Sequence, residues 1–121
     1  MRIERELMRG AGPTAVMSLL RGRPRYGYEL VEALAEQSRG VLDMGQSTLY
    51  PMLYNLEAKG LIEGYWQSAP QDAGGRERKY YRLTPRGRRR LEADSAQWRS
   101  LLAAMRALGV MDQPEQAGGA A

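Results

Sequence analysis

The amino-acid sequence predicts a mainly α-helical chain with one small β-hairpin and a long helix near its C-terminal end. Three observations carry that expectation. Leucines and methionines recur at helical spacing in several early segments and one late one. Two stretches rich in Tyr, Trp and Ile, "LIEGYWQ" and "RKYYRLT", flank a turn-rich loop, "SAPQDAGGRE". The motif "TPRG" then opens a segment in which apolar residues return every seven positions.

The elements follow in chain order. Residues 1–9 are amphipathic, with Ile3 and Leu7 four apart. "GAGP", Gly10 to Pro13, reads as an interruption, because a proline inside a helix lacks an N–H and clashes with the carbonyl four residues back. Pro13 is comfortable at a first helical position, so the first core helix is expected from Pro13 to Leu20, with the preceding residues as an arm. A second helix is expected from Tyr26 to Gln37 on the spacing of Leu30, Val31 and Leu34. "SRG" stops it, with Gly40 available for a left-handed cap.

The third helix lies in "GQSTLYPMLYNLEAKGLI". Leu49, Met52, Leu53 and Leu56 stand at i, i+3, i+4 and i+7, one buried stripe. An N-cap at Gln46 or Ser47 brings Pro51 close to the helix front, where a missing amide is tolerated best. Gly60 ends the helix. The two β-prone stretches form the hairpin. Tyr80 and Tyr81 point to opposite faces of its second strand, one of them into the core. Thr84 is the N-cap and Pro85 the first residue of the last helix. Leu91, Trp98 and Met105 repeat every seven residues, as do Leu101 and Leu108. From Pro85 to Leu108 this helix is roughly 36 Å long at about 1.5 Å per residue. The preceding domain is too small to cover that whole face, so the remaining stripe needs a partner.

Composition narrows the function classes. The 121 residues are 43% hydrophobic, enough for one domain with a modest core. No apolar run approaches the length that spans a bilayer, so no membrane partner is expected. The N-terminus lacks the apolar centre of a secretory signal, which makes the cytoplasm the expected compartment. There is no Cys and no His. Disulfides, thiol catalysis and the commonest general base and metal ligand are therefore absent. The chain is expected not to be an enzyme and to carry no cofactor and no metal. Net charge is +4, unevenly spread. Residues 26–66 carry six acids against two bases, whereas residues 76–90 carry eight bases against Glu77 alone. That cluster is either a solvated face or an edge that binds a polyanion.

Three helices followed by a hairpin is the order of a winged helix-turn-helix, in which the third helix lies in the DNA major groove and the hairpin is the wing. At this point the sequence resembles the PadR-like family of transcriptional regulators. The resemblance rests on "YGYEL" (26–30), "STLYPMLYNLEAKGLI" (47–62) and "RKYYRLTPRG" (78–87), in family order and spacing. It implies a homodimeric repressor of the short subgroup, bound to double-stranded DNA at a pseudo-palindromic operator. The division expected is a DNA-binding domain with its arm at 1–84, a dimerisation helix at 85–109 and a disordered tail at 110–121. The broken segment "RGAGPTAVM" departs from the family's leucine-rich first helix. A winged-helix module that binds protein instead of DNA is the alternative.

The candidate DNA-contacting residues are Gln46, Ser47 and Thr48 at the front of the third helix. Tyr50, Pro51, Tyr54 and Asn55 join them along its exposed side. Tyr26 is expected to be the exposed member of the Tyr26/Tyr28 pair, and Arg76, Arg78 and Lys79 are the wing cations. Helix-front amides and hydroxyls suit phosphates and base edges, and an asparagine can read adenine. The candidate dimer surface is Ile3, Leu7, Leu91, Trp98, Leu101, Leu102, Met105 and Leu108. By position, the resemblance further implies that Trp98 could stack on a small aromatic effector in a cleft between subunits.

Overall fold

The structure, a computed structural model, describes residues 1–112. Its elements are α1 (Arg5–Gly22), β1 (Arg25–Tyr26), α2 (Gly27–Gln37), α3 (Gln46–Ala58), β2 (Ile62–Ser68), a short 3₁₀ turn (Gln71–Ala73), β3 (Glu77–Leu83) and α4 (Pro85–Ala107). They form two units, residues 1–91 and the residues from Glu92 onward. The expected tail, 110–121, lies outside the described residues from 113 on.

The first unit is three helices against a three-stranded antiparallel sheet of order β1-β3-β2. One continuous core holds it together. Met8, Val16, Met17 and Leu20 of α1 meet Leu30 and Leu34 of α2, Leu49, Leu53 and Leu56 of α3, and Tyr81 and Leu83 of β3. Burial of this kind contributes roughly 1.5–3 kcal/mol per large apolar side chain.

Two expectations are corrected here. α1 does not break at Gly10–Pro13 but runs through it, with Pro13 inside. The apolar residues on both sides of the proline, Met8 and Val16 among them, enter the same core, and this packing outweighs the local penalty of proline. Gly12 is buried against Met52, whose Cε would lie 2.5 Å from an added Cβ, so the glycine lets α1 approach α3. The second correction concerns the sheet, which has a third, two-residue strand. β1 pairs Arg25 with Tyr81 and Tyr26 with Tyr80. The segment expected to be the start of α2 is thus also a sheet edge, with Tyr26 as the helix N-cap.

α3 begins one residue after Gly45, its N-cap, rather than after Gln46 or Ser47. It ends as expected at Gly60. The Gly60 amide donates to Glu57 O and the Leu61 amide to Leu56 O, with Gly60 at a positive φ of 73°. Thr84 caps α4 by accepting from the Gly87 amide at 3.0 Å, and its hydroxyl lies 2.7 Å from Gly60 O. One side chain therefore ties the end of α3 to the start of α4. Gly87 is packed so closely that an added Cβ would overlap the Leu61 carbonyl.

The second unit is the rest of α4. It carries half-buried Trp98 and Met105 and exposed Leu101, Leu102 and Leu108. The helix ends at Ala107, with Gly109 at φ 79° and the Val110 amide donating to Met105 O.

Candidate nucleic-acid interface

α3 turns Leu49, Leu53 and Leu56 fully into the core and leaves Gln46, Ser47, Tyr50, Pro51, Tyr54 and Asn55 exposed, with Thr48 half-buried. The spacing explains the split. Ser47, Pro51 and Tyr54 stand opposite the leucine stripe, Thr48 and Asn55 lean to one side, and Tyr50 and Glu57 to the other. The free face carries amide, hydroxyl and ring groups and no charge before Glu57. Pro51 sits six residues into the helix, so its missing amide leaves the Ser47 carbonyl without the usual intrahelical donor at this exposed front.

One flank of α3 is the wing. β2 and β3 pair from Ile62–Leu83 to Ser68–Glu77. The period-two alternation of β3 divides its cations. Arg78, Tyr80 and Arg82 share one face. There Tyr65 and Tyr80 stack at 6.0 Å and Tyr80 meets Tyr26 edge-on at 5.5 Å. Arg78 lies 4.4 Å over the Tyr26 ring and Arg82 4.7 Å over Tyr65. Arg82 also pairs with Glu63.

Lys79, expected to be a wing cation, shares the other face with buried Tyr81 and Leu83. Its Nζ is 3.5 Å from Glu57 Oε1, and the other oxygen of Glu57 accepts from the Gly64 amide at 3.3 Å. Lys79 therefore links the wing to α3 through a partly exposed ion pair. Arg76 stays exposed at the wing tip, and Arg78 is half-buried.

Tyr26 and Tyr28 also exchange their expected roles. Tyr26 is half-buried between Tyr80 and Arg78, whereas Tyr28 is 52% exposed. A groove of about 310 Å³ between the wing and α3 is lined by Tyr28, Tyr50, Trp66, Arg78 and Lys79, among others. Burial, then the nearby Glu57, then Tyr50 push the Tyr81 phenol up from 10.0, so it is neutral at physiological pH.

The other flank is the N-terminal arm with the start of α1. A groove of about 640 Å³ runs between it and α3. Ser47, Thr48, Pro51 and Asn55 line one wall, and Arg2, Arg5 and Arg9 line the other. Ile3 anchors the arm, packing on the core while its amide donates to Val41 O at 3.2 Å.

Two features lie outside the sequence-based expectations. The arm arginines have the same side of α3 in front of them, and Trp66 is 66% exposed on β2. The i, i+4 spacing of Arg5 and Arg9 was the available signal for the arginines. Alternation puts Trp66 on the same face of β2 as buried Ile62, so the sequence held no signal for its exposure.

Among the dimer candidates, Leu91 is only 2% exposed and belongs to the core of its own domain, so it is not available to a second subunit. Ile3 is likewise partly buried against that core. Leu7 is 61% exposed. Trp98 and Met105 are half-buried, and Leu101, Leu102 and Leu108 are 46%, 40% and 77% exposed. Among the described residues no helix is long and apolar enough to cross a membrane, and no group of acidic, His or Cys residues could hold a metal.

The family model described as "Transcriptional regulator PadR-like family" matches residues 16–93. A PadR family transcriptional regulator from Eggerthella lenta is 38% identical, covers 88% of each chain and superposes with a TM-score of 0.73. A Streptococcus transcriptional regulator is 31% identical, covering 88% of this chain and 99% of its own, at a TM-score of 0.76. A Lysinibacillus sphaericus relative, named only as uncharacterized protein X, is 28% identical over 96 residues, 79% of this chain and 85% of its own.

Proposed function

From the premise that the chain belongs to the transcriptional regulator PadR-like family, we propose that it is a dimeric DNA-binding repressor of a pseudo-palindromic operator. The observation that carries the reading is the front of α3. Six of its exposed residues are uncharged hydrogen-bonding or ring groups, held clear of the core. Such a face suits base edges, where amides and hydroxyls discriminate and fixed charges do not. Asn55 is the residue best suited to adenine, and Gln46, Ser47 and Thr48 suit phosphate or base edges at the helix front. Arg76 and Arg78 supply the charge on the wing side.

Two copies joined through the exposed leucines of α4 place two α3 helices in successive major grooves, about one helical turn apart or a multiple of it. Release by a small aromatic effector at Trp98 accompanies the reading. It requires that the ligand bind one spacing of the reading helices better than the other. Catalysis has no part in the proposal.

Selection of bound fragments from the host genome tests the reading. The expected result is an enriched fragment with an inverted repeat, and Asn55→Ala lowers the preference for one base position by about 1–3 kcal/mol. Enrichment of no fragment, together with capture of a protein at α3, would favour a protein-binding role.

A further inference from the structure

The groove between the arm and α3 goes beyond the wing-and-helix reading. Arg2, Arg5 and Arg9 line it with Glu4 as the one acid beside them. Arg5 and Arg9 are one helical turn apart and exposed, and neither has an ion-pair or hydrogen-bond partner among the described residues. On the wing, by contrast, Lys79 is held by Glu57, Arg82 by Glu63, and Arg78 rests on Tyr26. The unengaged cations nearest the polar face of α3 therefore include those of the arm, on the side away from the wing. The arm is fixed by the Ile3 amide and side chain, so these charges are pre-positioned. Leu7 stands on the opposite side of the same helical turn, so a partner meeting Leu7 leaves the arginines open.

We propose that the arm is a second phosphate-gripping flank. Arg5 and Arg9, extended by Arg2, contact the DNA backbone on the strand facing away from the wing, while Ser47, Thr48 and Asn55 form the floor between them. DNA is the occupant because the groove joins three guanidiniums to the exposed front of α3 without a break, so a strand seated on α3 passes the arginines. Guanidinium groups bind phosphate oxygens in a fork geometry. The inference rests on the DNA-binding reading above.

The test is the salt dependence of binding to a selected genomic fragment. Each lost phosphate contact flattens the plot of log affinity against log salt by about 0.9. Arg5→Ala with Arg9→Ala in both subunits should reduce the slope by roughly three to four and weaken specific and non-specific DNA alike. The Arg5→Lys/Arg9→Lys pair should keep most of the slope, because it keeps the charge. Arg21→Ala, at an exposed arginine outside the groove, should leave the slope as in the wild type. A double alanine variant that folds and binds with the wild-type slope overturns the arm assignment while leaving the DNA-binding reading intact. A wild type that binds no fragment overturns both.

Discussion

α3 and α4 are both amphipathic, yet they dispose of their apolar residues differently. α3 buries its three leucines in its own domain to 4% exposure or less and shows solvent a face of amides, hydroxyls and tyrosines. α4 buries only Gly87 and Leu91 and keeps Leu101, Leu102 and Leu108 in solvent. The domain core is thus complete at Leu91. What α3 leaves over is a surface that asks for hydrogen-bonding groups. What α4 leaves over is a surface that water disfavours, at about 25 cal/mol for each Å². In the reading proposed above, the first surface suits a polar polymer and the second a copy of the same helix.

The largest effect should come from charging the apolar side of that comparison. Leu102→Asp together with Trp98→Asp would bury unpaired carboxylates in a subunit interface, so sedimentation should show monomers. With the bivalent grip lost, DNA affinity should fall on the order of a hundredfold or more. A stable dimer would remove these residues from the interface.

Next in size is the joint between the two helices. Gly87→Ala drives a methyl into the Leu61 carbonyl, which is backbone and has little room to yield. A loss of about 1–3 kcal/mol is expected in chemical denaturation. Thr84→Ala removes the α4 cap and the contact with Gly60 O, for about 1 kcal/mol by the same measurement.

The smallest effect is electrostatic. The folded-state pKa of Tyr81 is raised above its ordinary value, so its contribution to stability is full below pH 10 and is lost as pH rises through the folded pKa. A denaturation series above pH 10 should show an alkaline decline that Tyr81→Phe softens. An unchanged decline would assign it to other tyrosines or lysines.

Much of this was legible in the sequence. The leucine stripe of α3, the Thr84–Pro85 start of α4, the Gly60 stop and the hairpin all follow from local spacing and capping chemistry, and the fold of the family matches. What escaped depended on contacts between residues far apart in sequence. α1 continues through Gly10–Pro13 because Met8 and Val16 share a core that only the folded chain assembles. β1 is two residues long and exists only because β3 lies beside it. Tyr26 is half-buried for the same reason.

Lys79 shows how register sets a cation's neighbours. Its alternation with Tyr81 and Leu83 puts it on the face of β3 that meets α3, where Glu57 is its partner. On the candidate interface, the exposure of the α3 residues was legible from their places off the stripe. The arm arginines were not, because nothing local brings residues 2–9 to α3.

The claim that α3 presents its polar face to DNA is tested most directly by titrating the wild-type protein with a selected genomic fragment at rising salt. The prediction is a complex of two subunits per site whose log affinity falls linearly with log salt, and whose preference over scrambled DNA is lost when Tyr54 and Asn55 are both replaced by alanine. A complex that ignores salt, or a sequence preference that survives that double replacement, would contradict it.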